Sequence, residues 1–212
     1  MCFVSSQLSL FSMNIQQTSI QDLLIIKPRI FSDDRGYFYE SYNKETFLKL
    51  GLDLNFVQDN QSLSQKDVLR GLHFQNPPFA QGKLVRVIQG SVLDVAVDIR
   101  SNSPTYGQHE KVILSGENKT MFWIPPGFAH GFMTLEKENY VLYGCTKYRS
   151  AQSEKSIKFN DKDLKIRWPL KKPILSKRDK DAMDFNFYKN KKENYFLPII
   201  RFFYLVKTIV LF

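Results

Sequence analysis

Cysteine and histidine are both scarce in this 212-residue chain. The two cysteines, Cys2 and Cys145, lie far apart, so neither a disulfide framework nor a zinc-binding spacing follows. The three histidines are His73, His109 and His130, with no His-x-His pair and no glutamate a few residues after His73. Because a barrel metal centre commonly needs two or three histidines and a carboxylate, no metal is expected.

The N-terminal residues make a poor secretory signal. The N-terminal MCFVSSQLSLFS has neither a basic region nor a small-residue cleavage site, which predicts a cytoplasmic protein. Positive charge is abundant, with a net charge of +9, but the lysines and arginines form no compact block with interleaved aromatics. Nucleic-acid binding is therefore not expected, whereas a phosphorylated small molecule could use the same positive field.

The length fits one domain, and the two ends differ from the middle. Residues 1–12 precede Met13, where β patterning begins, and we expect them to be a dispensable extension. We expect one domain over 13–185 and a basic, then apolar, tail over 186–212. As a helix, the apolar end 195–212 would reach about 27 Å, slightly short of a bilayer core. A membrane anchor is disfavoured by the charges of Arg201 and Lys207 and by Pro198. We therefore expect the tail to be nonessential or covered by a partner, with a membrane anchor as the alternative.

Helical periodicity is scarce, and strand patterns take its place. KLVRVIQ and VLDVAVDIR predict two alternating strands around a Gly90-Ser91 turn, with Leu93, Val95, Val97 and Ile99 on one face. Further turns are predicted at SGEN, PPG and EKEN, and this short spacing is typical of a sandwich or barrel. The clearest helix is 43–51, ended by Gly51, and a second is predicted within SKRDKDAMDF. The fold class is all-β.

Strand alternation places His73 and Gln75 on one face, opposite Leu72 and Phe74. Inward faces of larger barrels line ligand cavities, so His73 and Lys83 are candidates for such a lining. For a single histidine, a structural role in the core is the more common alternative.

Seven motifs, in one order across 13–185, resemble the dTDP-4-dehydrorhamnose 3,5-epimerase family. They are DDRGYFYES (33–41), QDNQSLS (58–64), LRGLHFQNPP (69–78), QGKLVRVIQGSVLDVAVDIR (81–100), IPPGFAHGF (124–132), YGCTKY (143–148) and PILSKRD (173–179). The family is a cupin-like double-stranded β-helix, or jelly-roll barrel, usually dimeric, that acts on a dTDP-linked 4-keto-6-deoxy sugar without metal or organic cofactor. The resemblance implies the same fold, a homodimer and no cofactor here.

The resemblance also implies catalytic roles. His73 is the base, oriented by Asp179; Lys83 stabilises the enolate oxygen; Tyr143 is the proton donor on the opposite face of the sugar. Proton transfer next to a ketone requires these three functions. The sequence pattern alone leaves a structural alternative open for each of the other residues. Asp179 could be a solvated charge, Lys83 a lysine at the surface of a strand, and Tyr143 an ordinary aromatic residue of a strand.

Further positions of the family contact the substrate or its nucleotide, and the arginines among them could instead form surface salt bridges. They are Arg35, Glu40, Gln58, Asn60, Arg70, His130, Tyr148, Glu154 and Arg178. Two departures stand out. Arg178 replaces the lysine that the family often has, and Arg149 replaces a second aromatic, so either Tyr148 or Arg149 is expected to stack on the thymine.

The expected function is inversion of C3 and C5 of dTDP-4-dehydro-6-deoxy-D-glucose, which gives dTDP-4-dehydro-L-rhamnose. An enzyme that inverts only one of these centres would use the same residues. A noncatalytic sugar-nucleotide-binding cupin would have no reason to combine His73, Lys83 and Tyr143.

Overall fold

This computed structural model describes residues 13–190 of the chain. The described part contains thirteen β-strands and three short helices, joined by turns and loops. The predicted extension 1–12 and the apolar end 195–212 lie outside the described residues. The strands are β1 Met13–Gln17, β2 Leu24–Pro28, β3 Phe31–Asp33, β4 Gly36–Phe38, β5 Gln58–Gln65, β6 Leu69–Gln75, β7 Lys83–Gln89, β8 Ser91–Asp98, β9 His109–Ser115, β10 Met121–Ile124, β11 Phe128–Thr134, β12 Glu138–Cys145 and β13 Glu154–Ser156. The helices are α1 Lys44–Lys49, α2 Lys177–Lys180 and α3 Phe185–Asn190.

Two antiparallel sheets face each other. One has six strands in the order β1-β2-β10-β7-β12-β5, and the other has five in the order β13-β6-β11-β8-β9. Apolar side chains from both sheets, among them Val85, Phe122, Val141, Val92 and Phe132, form one core cluster between them. This arrangement of alternating strands confirms the all-β prediction.

Gly90 lies where the chain passes from one sheet to the other. The two strands predicted around it are present as β7 and β8, but they belong to different sheets and do not pair with each other. Gly90 has φ +80°, and a Cβ there would lie 2.2 Å from the carbonyl oxygen of Glu138. Glycine is therefore required by both the backbone conformation and the close approach.

The outer faces of the sheets carry two further apolar clusters. On the five-stranded sheet, Val95, Val97 and Ile99 pack with Phe185 and Tyr188 of α3, which confirms the shared face predicted for this strand. On the six-stranded sheet, α1 covers the outer face through the buried Phe47.

Both predicted helical regions contain helix. Asn43 caps α1 by accepting from the backbone N–H groups of Glu45 and Thr46, and Gly51 follows the helix at φ +84°. The second region contains α2 alone, and α3 begins at its last residue, Phe185. Within residues 13–190, no helix has the length and apolar character needed to cross a bilayer.

Candidate active site

A cavity of about 240 Å³ opens between the two sheets. Polar side chains from both sheets and from the segments that follow them surround it. Its lining residues are Gln58, Asn60, Ser62, Arg70, His73, Gln81, Lys83, His130, Phe132, Tyr143, Arg149, Glu154 and Arg178. Nine of the residues chosen from the sequence are among them.

An irregularity in β6 brings Arg70 and His73 into the same cavity. His73 pairs with His130 of β11, but Arg70 pairs with Phe132, so β6 holds one residue more than its partner over this stretch. Residues three apart in a regular strand face opposite sides, and the extra residue restores a common side. Gly71 lies in this stretch at φ +137°, where a Cβ would be 2.5 Å from the Cα of Gly131.

His73 and Asp179 form a hydrogen-bonded pair at the cavity wall. His73 Nε2 lies 2.5 Å from Asp179 Oδ1, and the side chain of Asp179 is only 3% exposed. Ser176, the N-cap of α2, donates its hydroxyl to Asp179 Oδ2 and so fixes the carboxylate. Burial lowers the pKa of His73, and this effect exceeds the opposing one of Asp179. Hydrogen bonds from His73 and Ser176 outweigh burial at Asp179 and lower its pKa.

Lys83 and Tyr143 lie together in the six-stranded sheet. Lys83 Nζ is 5.8 Å from the centre of the Tyr143 ring. Burial lowers the pKa of Lys83, more than the nearby Cys145, Asp94 and Glu154 raise it. Burial also raises the pKa of Tyr143, so this phenol stays protonated at neutral pH.

His130 adds a second imidazole to the cavity, next to His73 across the strands. Its Nε2 lies 2.9 Å from both carboxylate oxygens of Asp94, which is fully buried on β8. This contact fixes the orientation of the His130 ring.

Glu154 joins two arginines at the cavity mouth. Its Oε1 lies 2.8 Å from Arg178 Nη1, and its Oε2 lies 2.9 Å from Arg149 Nη2. These hydrogen bonds outweigh burial and lower the pKa of Glu154. The carboxylate is therefore occupied in holding two guanidinium groups side by side.

The β5 side of the cavity carries amide groups that bond to their neighbours. Gln58 Nε2 donates to Asn60 Oδ1 at 3.0 Å, and Asn60 Nδ2 donates to Cys145 Sγ at 3.4 Å. Gln58 Oε1 also accepts from the backbone N–H of Arg149. The strand is thus linked directly to the cavity mouth.

Arg35 and Glu40 lie outside this cavity. The side chain of Arg35 is 90% exposed in the β3–β4 hairpin, where it pairs with Asp33 at 2.6 Å. Glu40 accepts from Asn43 Nδ2 next to α1. Tyr148 stands at the mouth with 66% of its surface exposed, beside Arg149.

Comparison with known proteins decides the family. The model of the dTDP-4-dehydrorhamnose 3,5-epimerase family matches residues 17–186. The chain belongs to this family. A dTDP-4-dehydrorhamnose 3,5-epimerase of Salmonella typhimurium is 54% identical over 172 residues, which cover 80% of this chain and 94% of the relative.

Solved structures agree with this assignment. The crystal structure of a dTDP-6-deoxy-D-glucose-3,5-epimerase from Legionella pneumophila, in complex with dTDP-4-keto-L-rhamnose, is 53% identical with a TM-score of 0.79, and the match covers 82% of this chain and 93% of that one. A 3'-monoepimerase from Streptomyces bikiniensis, in complex with dTDP-quinovose, is 33% identical with a TM-score of 0.76, over 80% and 86% of the chains. These comparisons confirm the predicted jelly-roll fold and the isomerase class of this family member.

Four cavity residues of this epimerase were not selected from the sequence as site residues. They are Ser62, Gln81 and Phe132 in the lining and Asp94 behind His130. Asp94 had a visible signal, because it interrupts the apolar side of β8 between Val92 and Ala96. Ser62 and Gln81 had none, since a polar residue on an alternating strand or in a loop is usually solvated.

Proposed function

We propose that this epimerase inverts both C3 and C5 of dTDP-4-dehydro-6-deoxy-D-glucose to give dTDP-4-dehydro-L-rhamnose. The observation that carries the proposal is the His73–Asp179 pair, located in one cavity with Lys83 and Tyr143. The C4 ketone acidifies the protons on C3 and C5. Each inversion then requires a base, a group that stabilises the enolate and an acid on the other face.

His73 is the base in this scheme. With a proton on Nε2, held by Asp179, the other ring nitrogen carries the lone pair that removes the proton from carbon. The lowered pKa of His73 keeps the imidazole neutral at pH 7, which is the form a base requires. Asp179 fixes the ring and stabilises the imidazolium that forms.

Lys83 stabilises the enolate oxygen. Its ammonium group is a compact positive charge in a buried position, where such a charge acts more strongly than in bulk solvent. Arg70 and Arg178 add positive charge to the same cavity. No step in this scheme needs a metal or an organic cofactor.

Tyr143 returns a proton to the opposite face of the carbon. Its phenol is protonated at neutral pH because burial raises its pKa, and the nearby Lys83 can stabilise the phenolate after transfer.

The size of the cavity indicates which part of the substrate lies inside it. About 240 Å³ accommodates a sugar ring but not a whole dTDP-sugar, so the nucleotide extends across the mouth. We assign Gln58, Asn60, Arg70 and His130 to the sugar and the adjoining phosphate. Glu154, Arg178 and Tyr148 then face the nucleotide.

We assign Arg35 and Glu40 to contacts with the substrate that is bound in a second copy of the chain. Within one chain they lie away from the cavity, whereas the exposed β3–β4 hairpin that holds Arg35 is free to reach another molecule. In a homodimer, this hairpin would bring a cation to the diphosphate of the partner's substrate.

Solvent deuterium incorporation tests the chemistry. In heavy water, the wild type should place deuterium at both C3 and C5, and His73→Asn should abolish both exchanges while dTDP still binds. Loss of one catalytic base typically lowers the rate by about 10²–10⁴-fold. Tyr143→Phe should retain exchange better than inversion, because deprotonation precedes the step that needs the phenol. A wild type that binds the sugar nucleotide but incorporates no deuterium would refute the enzyme assignment.

A single-centre epimerase is the second candidate, because the 3'-monoepimerase from Streptomyces bikiniensis has the same fold. Deuterium at one carbon only would favour it over the double inversion.

A further inference from the structure

The segment 147–150, which follows β12 at the cavity mouth, has no regular secondary structure. Its backbone is instead bonded to glutamine side chains. Gln81 Nε2 donates to the carbonyl of Lys147 at 2.7 Å, and Gln75 Nε2 donates to the carbonyl of Tyr148 at 3.2 Å. On the next two residues, the N–H of Arg149 donates to Gln58 Oε1 at 2.9 Å, and the N–H of Ser150 donates to Gln75 Oε1 at 2.6 Å.

The three glutamines come from three separate parts of the fold. Gln58 begins β5, Gln75 ends β6, and Gln81 lies just before β7. The segment is therefore attached to both sheets at once, since β5 and β7 belong to the six-stranded sheet and β6 to the five-stranded one. We call Gln58, Gln75 and Gln81 the glutamine clasp.

Gln75 is the central member. It is only 5% exposed, and its amide also donates to the carbonyl of Phe79 at 2.6 Å. One side chain thus connects the loop before β7, the segment at the mouth and the strand that carries His73. A buried primary amide with three partners is a fixed support, because loss of any partner leaves a buried polar atom unsatisfied.

The clasped segment presents two groups suited to a nucleotide. The Tyr148 ring is 66% exposed, and Arg149 extends a guanidinium, held by Glu154, beside Arg178. An aromatic face and paired guanidinium groups match the base and the diphosphate of a nucleoside diphosphate.

We infer that the glutamine clasp is a positioning device for the nucleotide half of the substrate: Gln75 and Gln81 fix the backbone that carries Tyr148 and Arg149, and thereby set nucleotide affinity without taking part in proton transfer. This inference rests on the proposed function, which supplies the dTDP group.

Two variants test it, with dTDP itself as the probe in titration calorimetry. Gln75→Met keeps the length of the side chain but removes both polar groups, and Gln81→Ala removes a more exposed contact. We expect Kd for dTDP to rise about tenfold in Gln75→Met, which removes two hydrogen bonds to the segment and a third to Phe79, and about threefold in Gln81→Ala, which removes one. The value of kcat at saturating sugar nucleotide should change less than about threefold in Gln75→Met, because the side chain of Gln75 does not line the cavity. Gln152→Ala, an exposed glutamine of the adjacent turn, is the matched control and should leave both constants unchanged.

A double variant checks that the effect passes through the segment. If the clasp acts by placing Tyr148, then Gln81→Ala should weaken dTDP binding much less in a Tyr148→Ala background than in the wild type. If the glutamine clasp only stabilised the fold, its variants would have a lower melting temperature but an unchanged ratio of KM to kcat.

The outcomes separate the two hypotheses. Unchanged dTDP affinity in both variants, or a fall in kcat with unchanged affinity, overturns the inference while leaving the proposed function standing. A wild type that does not bind dTDP overturns both. If Gln75→Met does not fold, Gln81→Ala decides alone.

Discussion

At His73, two opposing influences set the pKa of the imidazole. Burial lowers the pKa, and the hydrogen bond with Asp179 raises it, with burial the larger of the two. The neutral imidazole of His73 therefore persists to lower pH than that of an exposed histidine, whose pKa is about 6.5. A carboxylate that orients the ring thus also limits how far burial can depress its pKa.

The acid limb of kcat/KM should reflect this balance. This limb reports the base in the free enzyme, so it should lie below about pH 6.5 in the wild type. Asp179→Asn removes the carboxylate that raises the pKa of His73, so the acid limb should move to still lower pH. The maximal kcat/KM should fall by at most about 10²-fold. Asp184→Asn, an exposed residue paired with Lys158, is the control and should leave the profile unchanged. A limb that moves upward in Asp179→Asn would contradict this account.

Residue chemistry was the part of the site most readily predicted from sequence. His73, Lys83 and Tyr143 are of the types that enolate chemistry needs, and the family motifs located them. The contact between Asp94 and His130 could not be predicted, because the two residues meet only through the pairing of β8 with β11. The glutamine clasp was equally hidden, since each of its bonds to the segment at the cavity mouth joins residues more than 60 positions apart.

Among the strands, alternation correctly predicted that Leu93, Val95 and Val97 share one face of β8, but it did not predict which strands pair. The bulge in β6 explains a further limit. One extra residue near Gly71 reverses the facing of Arg70, and strict alternation would have placed Arg70 opposite His73. The only local sequence signal for the bulge is Gly71, and the only one for the change of sheet is Gly90.

Gly90 and Gly36 form a matched pair for testing how the connection between β7 and β8 is stabilised. Both have positive φ, but a Cβ at Gly36 would meet nothing within 4 Å, whereas one at Gly90 would collide with the backbone of Glu138. Gly36→Ala should lower the free energy of unfolding by about 1–2 kcal/mol from backbone strain alone. Gly90→Ala should cost about 3 kcal/mol or more, because overpacking adds to the strain. Urea unfolding measures both, and equal losses would argue against the close approach.

For the whole molecule, the C-terminal limit of the folded domain can be tested by truncation. Phe185 and Tyr188 are buried against the five-stranded sheet, so a chain ending after Asn190 should keep its melting temperature and activity. A chain ending after Asp184 should be destabilised by several kcal/mol, because loss of each buried large aromatic costs about 3–5 kcal/mol. Thermal unfolding and turnover of the two truncated proteins provide the measurement. Release of a membrane-bound fraction on removal of residues 191–212 would support the anchor alternative for the tail.

The order of strands in the two sheets has a consequence for the protein during its synthesis. Hairpins such as β1–β2 and β8–β9 can form as soon as their residues leave the ribosome. In contrast, β5 pairs with β12, and β6 pairs with β11 and β13, so the strands that carry Asn60 and His73 wait for the second half of the chain. Such long-range pairing slows folding and leaves strand edges open in the meantime. The nascent chain is therefore most exposed to aggregation while it already contains β6, which carries His73, but not yet the strands that pair with β6.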